Sequence, residues 1–156
     1  VDVDNPTNTF YAQLRPISDD FIPEALAVSG FTREQTLQFP PADEAIKQLG
    51  EWVQSHYPNC RVTIVSDNPA FDWQFINYYT VKFLGKNPFG HSARRIGDVW
   101  AGMEGNFSND SGWKKLRVQK HTHNALDDAL GNAQALQTIR QTLRKRSAPS
   151  NSKPLL

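Results

Sequence analysis

Residues 60–85, CRVTIVSDNPAFDWQFINYYTVKFLG, limit what this chain can fold into more than any other stretch. A short β-branched run, Val62-Thr63-Ile64-Val65, closes on the turn residues Ser66, Asp67, Asn68 and Pro69. Phe75, Ile76, Tyr79 and Phe83 then recur at helical spacing. β-branched residues fit a pleated, half-buried surface, and apolar residues three and four apart mark a helix with one buried face. The stretch therefore reads as a strand, a polar turn and a helix, the repeating unit of α/β folds. In such folds ligands and catalytic groups gather at the carboxyl ends of the strands, where Asp67 and Asp72 fall. Asp72 is either such a group or an ordinary acid in a helical first turn, and Asp67 either such a group or an Asx-turn residue.

The flanking segments extend the pattern. TFYAQLRPI alternates bulky and polar residues and stops at Pro16, as a strand would. Thr32-x-x-Gln35 has the form of a capping box that opens a helix. Ala45, Ile46, Leu49, Trp52 and Val53 predict a surface helix with one face turned inward. RRIGDVWAGM reads as a short helix, or as a strand and a helix, and a last helix is expected from about Asn124 to Arg144. SAPSNSKPLL, residues 147–156, has the composition of a disordered tail. With 156 residues and 38% hydrophobic content, one domain over residues 1–146 is the expectation. No apolar run approaches membrane-spanning length, and VDVDNPTNTF has no signal-peptide pattern, so a soluble, cytoplasmic protein with no membrane partner is expected. The single Cys60, beside the expected strand, reads as a buried small hydrophobe, which argues against thiol chemistry.

Charge is unevenly spread. Residues 1–112 hold 8 Lys/Arg against 14 Asp/Glu, whereas residues 113–156 hold 9 against 2. The basic run WKKLRVQK leads directly into two histidines, which makes Lys114, Lys115 and Arg117 candidates for phosphate contacts. Arg94 and Arg95 are further candidates, with pairing to surface acids as the competing role. Phe71 and Trp73, on either side of Asp72, are candidates for stacking on a base, or else core aromatics.

The histidines open HTHNALDDALGNAQAL, in which Ala129, Ala133 and Leu136 hold a helix to the core. His123 just before that helix and Asp128 in its first turns can face one cleft. A neutral imidazole there can take a proton from water, and the carboxylate can bind a cation. Alternatively both residues serve only the helix N-terminus. His121-x-His123 resembles a metal pair in spacing, but a loop histidine beside a basic run is more commonly solvated or hydrogen-bonded.

Taken together, VSDNPAFDWQFI, RRIGDVWAG and HNALDDA in this order resemble the DEDD superfamily of 3′-to-5′ exonucleases, in the subtype with a histidine in its last motif, which includes ribonuclease T and proofreading exonucleases. The resemblance covers nearly the whole chain, and its most specific part is His-x-Ala-x-x-Asp-Ala. It implies a ribonuclease H-like mixed β-sheet flanked by helices, with His123 as general base and Asp72 and Asp128 as metal ligands. It also implies two Mg²⁺ or Mn²⁺ ions and, as substrate, the 3′ end of single-stranded DNA or RNA; a homodimer is a further expectation. Asp127 and His121 match no required position. A catalytically inert nucleic-acid-binding or protein-binding domain of the same fold is the alternative.

The family's first motif, Asp-x-Glu on the central strand, is not found. Asp2-x-Asp4 has the wrong second acid and lies too close to Arg15-Pro16 for the intervening hairpin. VDVDNPTNTF reads better as the end of that hairpin's first strand and its turn. The expectation is thus a sheet that misses its first, central strand, a natural protein that carries it upstream, and little activity in residues 1–156 alone.

Overall fold

The computed structural model describes residues 1–147. Two short helices come first, α1 (Pro23–Val28) and α2 (Arg33–Leu37), followed by α3 (Ala42–His56). The central unit is β1 (Ile64–Ser66), α4 (Pro69–Leu84), β2 (Ala93–Arg95) and α5 (Ile96–Glu104). A 3₁₀ turn (Gly112–Leu116) and the long α6 (Ala125–Ser147) complete the described chain.

The expected strand–turn–helix is present as β1 and α4, and RRIGDVWAGM divides into β2 and α5. β1 and β2 pair in parallel, Ile64 opposite Ala93 and Ser66 opposite Arg95, with α4 as the crossover. Among the described residues this is the whole sheet. The chain is therefore α/β, consistent with a ribonuclease H-like arrangement, but the larger mixed sheet is not formed by residues 1–147. TFYAQLRPI is not a strand: it has no partner edge and bonds through Arg15 N–H to the Pro40 carbonyl (2.8 Å). Residues 2–8 do form a turn, closed by Asp2 N–H to the Asn8 carbonyl (3.0 Å), and Asp2 is held by the Tyr57 hydroxyl (2.7 Å).

Packing explains the helices. Thr32 and Gln35 form the reciprocal capping box, each side chain accepting the other's backbone N–H. α3 buries Ala42, Ala45, Ile46 and Val53, with Leu49 and Trp52 half-buried. Ile96, Trp100, Trp113, Ala135 and Ile139 form the core, with Val65 of β1 against it. α6 presents Ala133 and Leu136 to the interior as expected, with Ala129 half-buried. Three expectations are corrected. Phe75 is exposed, since only Ile76, Tyr79 and Phe83 of its set turn inward. Cys60 is exposed, because it lies on the turn closed onto the Tyr57 carbonyl, before the strand reaches the core. Ser147 is helical, being the last residue of α6, while the rest of the expected tail, 148–156, lies outside the described residues.

Two glycines of α5 have opposite surroundings. A Cβ on Gly97 would run into the Asp110 carbonyl, whereas one on Gly102 would meet nothing. Gly97→Ala should destabilise the fold by about 1–3 kcal/mol through overpacking, and Gly102→Ala should be neutral or stabilise it by up to about 1 kcal/mol through helix propensity. Denaturant unfolding of both variants checks this; equal effects would mean that the α5–Asp110 contact is wrong.

Candidate active site

The carboxyl end of β1, the first turn of α4, the loop after the 3₁₀ turn and the first turn of α6 carry the polar residues singled out from the sequence. An apolar groove of about 250 Å³ relates them: it is lined by Phe10 and Leu14, by Ile46 of α3, by Ile76 of α4, and by Ala125 and Ala129 of α6. Asp72 lies one helical turn before Ile76 and Asp128 is next in sequence to Ala129, while neither carboxylate itself lines the groove. Asp72 is exposed, while the Asp128 side chain retains 22% of its accessibility.

The loop before α6 is tied to that helix by a set of local bonds. Asn124 caps it, its side-chain oxygen accepting Leu126 N–H (2.9 Å) and Asp127 N–H (3.4 Å). The Thr122 hydroxyl donates to Asp127 Oδ2 (2.8 Å) and accepts Asn124 N–H (3.2 Å), and Thr122 N–H donates to Asp128 Oδ1 (3.2 Å). Between these anchors His123 is held at φ +62°, a left-handed conformation that costs a non-glycine residue roughly 1–3 kcal/mol unless its surroundings impose it. The histidine that touches Asp128 is His121, with Nδ1 2.7 Å from Oδ1. The two imidazoles meet edge-on at 4.4 Å. Sequence reasoning assigned neither His121 nor Asp127 a role, because their parts are local hydrogen bonds that motif spacing does not encode.

Asp67 is the second focus. Its carboxylate is 2.9 Å from Lys114 Nζ and 3.9 Å from Arg117, and its carbonyl accepts Arg95 Nε (3.2 Å). Arg117 is mostly enclosed: it donates to Asn132 of α6 (2.5 Å) and lies 4.8 Å over the Trp113 ring. Lys115 lies over Trp100 at 5.2 Å. Arg95 is committed to Asp110 (2.8 Å) and Asp98 (3.2 Å), and these hydrogen bonds, that to Asp110 foremost, raise its pKa above the ordinary value. Its fork is thus occupied by protein carboxylates. Arg94 is exposed. Phe71 is exposed, whereas Trp73 is half-buried on α4. Asp67, Lys114, Arg117, Gln119, Lys120 and His121 line an open cavity of about 410 Å³ that is basic on balance.

Among the described residues no three His, Cys, Asp or Glu side chains converge as a group able to hold a metal ion. Asp72 and Asp128 therefore do not by themselves fit the two-cation site that the resemblance implies.

The two cations on Asp67 should separate experimentally. Arg117→Ala removes a ring contact and the bond that ties the 3₁₀ turn to α6, and should lower stability by about 2–4 kcal/mol. Lys114→Ala, half-exposed, should leave the melting temperature unchanged. Thermal melts of both variants check this; equal losses would mean that Arg117 does not tie the 3₁₀ turn to α6.

Comparison with known proteins bears on the same segments. Residues 25–140 match the 3′-5′ exoribonuclease Rv2179c-like domain. The chain is also 35% identical over 147 residues to the 3′-5′ DNA exonuclease Cap18 of Escherichia coli, an alignment covering 86% of this chain and 75% of that protein.

Proposed function

The chain belongs to the Rv2179c-like 3′-5′ exoribonuclease domain family, a 3′-5′ exonuclease family of the DEDD type, and from that premise we propose that it removes nucleotides from the 3′ end of single-stranded DNA or RNA in a Mg²⁺-dependent or Mn²⁺-dependent reaction. The observation that carries the reading is that Asp72 and Asp128 stand on the two helices, α4 and α6, that help line one groove, with His123 held in the loop that is latched to the Asp128 helix. His123 is assigned as the base that takes the proton of the attacking water, a role that a neutral imidazole nitrogen can fill. Lys114 and Lys120, on the basic cavity beside this loop, hold the phosphates, and Phe71 stacks on the terminal base.

Two carboxylates are too few for two cations, so the reading requires further acidic ligands from outside residues 1–147. An Asp-x-Glu strand paired with the free edge of β1, which bonds only to β2 among the described residues, would supply them. The family description names a ribonuclease and the relative a DNA enzyme, so both substrates belong in the assay. The absence of a three-ligand group favours one second reading, a binding domain without catalysis.

Digestion of 5′-labelled single-stranded DNA and RNA with Mg²⁺ or Mn²⁺ decides between them. A protein extended to include the acidic strand should produce a ladder shortening from the 3′ end, and residues 1–156 alone should do so weakly. In the extended protein His123→Ala should reduce the rate by about 10² to 10⁴ with its melting temperature unchanged. His121→Ala should have the smaller effect. No digestion by the extended protein would leave the binding reading, and equal losses in both histidine variants would withdraw the assignment of the base.

A further inference from the structure

One face of α4 turns aromatic rings to water. Phe71, Phe75 and Tyr78 follow one another at i, i+4 and i+7, and Val81 continues the line; their accessibilities are 56%, 48%, 52% and 49%. The inward face of the same helix carries Ile76, Tyr79 and Phe83, so this stripe lies outside the core formed by the described residues. Rings left in water forgo a burial worth about 1.5–3 kcal/mol for each fully buried side chain, and a contiguous exposed line of them marks a binding surface.

Both ends of the stripe say what it binds. It starts at Phe71, beside Asp72 and the groove of the proposed exonuclease site. It finishes at Lys82, whose ammonium lies 5.6 Å from the Tyr78 ring and 5.8 Å from that of Phe83. Phe71 and Phe75 meet edge-to-face at 5.0 Å, which leaves ring faces open. The helical rise of about 1.5 Å per residue sets Phe71 and Tyr78 about 10 Å apart, the length of about three bases at the roughly 3.4 Å repeat of a nucleic-acid strand. Rings at that spacing ending on a cation suit a strand that offers a base face and a phosphate at each step. A second copy of the chain fits less well, since a stable dimer buries about 800 Å² per partner and would have to cover Lys82.

We infer that Phe75, Tyr78 and Lys82 form a track that holds single-stranded nucleic acid leading into the site, beyond the terminal nucleotide. This rests on the exonuclease reading, and binding measurements separate the two. Anisotropy of a fluorescein-labelled 12-nucleotide oligothymidylate, in EDTA to prevent hydrolysis, should give a Kd about tenfold weaker for Phe75→Ala and Tyr78→Ala, as expected for losing one base–aromatic stack. Lys82→Ala should weaken it about threefold and lower the salt slope. Phe75→Leu, which keeps an apolar side chain without a ring face, should lose as much as Phe75→Ala, and Gln54→Ala on α3 should lose nothing. All of these side chains are exposed, so melting temperatures should match wild type. If the wild-type chain binds and all variants bind equally, the track is refuted and the exonuclease reading stands. If Phe75→Leu binds like wild type, or if Phe75→Ala converts a dimer to a monomer in light scattering, the stripe is an apolar protein contact and the inference fails. If the wild-type chain binds no oligonucleotide, the track is refuted, and the exonuclease reading is decided by the digestion assay.

Discussion

The enclosed indole of Trp113 is the contact on which the rest of this structure depends. It has no accessible surface and packs with Ile96 and Trp100 from β2–α5 and with Ala135 and Ile139 from α6. Without it the 3₁₀ turn would have no reason to lie between those two helices. Its ring also carries the Arg117 guanidinium, which reaches Asn132 on α6 and faces Asp67 at the end of β1. One aromatic side chain thus sets the distance between the sheet, the basic loop and the helix bearing Asp128. Close packing makes such a contact sensitive to a single methylene, so the loop inherits its position from the core.

From that frame the polar groups sort themselves. Cations from 113–120 and β2 reach carboxylates in different ways: Arg95 is held by Asp98, Asp110 and the Asp67 carbonyl, whereas Lys114, itself half-exposed, has the single carboxylate of Asp67. A planar guanidinium with five donors suits the first task, and a flexible ammonium that meets one carboxylate suits the second. The loop at 121–124 is similarly over-determined, with Thr122 bonded to both aspartates and to Asn124. That redundancy is what keeps His123 at a positive φ.

The remaining apolar surface is distributed in two places with different geometry. The groove beside residues 10–14 is concave and lined from α3, α4, α6 and the N-terminal segment. The stripe on α4 is one residue wide along the convex surface of the helix.

Local chemistry carried much of this protein in its sequence. The Thr32–Gln35 box, the β-branched run into Asn68-Pro69 and the alanine-rich spacing after Asn124 act over a few residues, so the capping of α2, the strand–turn–helix and α6 were legible from order alone. The order of Asp72, His123 and Asp128 was enough to indicate the exonuclease family. Tertiary structure decided what depends on partners far along the chain. TFYAQLRPI has strand-like alternation but no edge to pair with, and Phe75 has the right spacing for burial but points off the packed face. The choice of His121 as the side chain touching Asp128 likewise follows from the left-handed turn at His123, and the commitment of Arg95 to Asp110 from the fold of α5. Periodicity states which residues share a face; only packing states what that face meets.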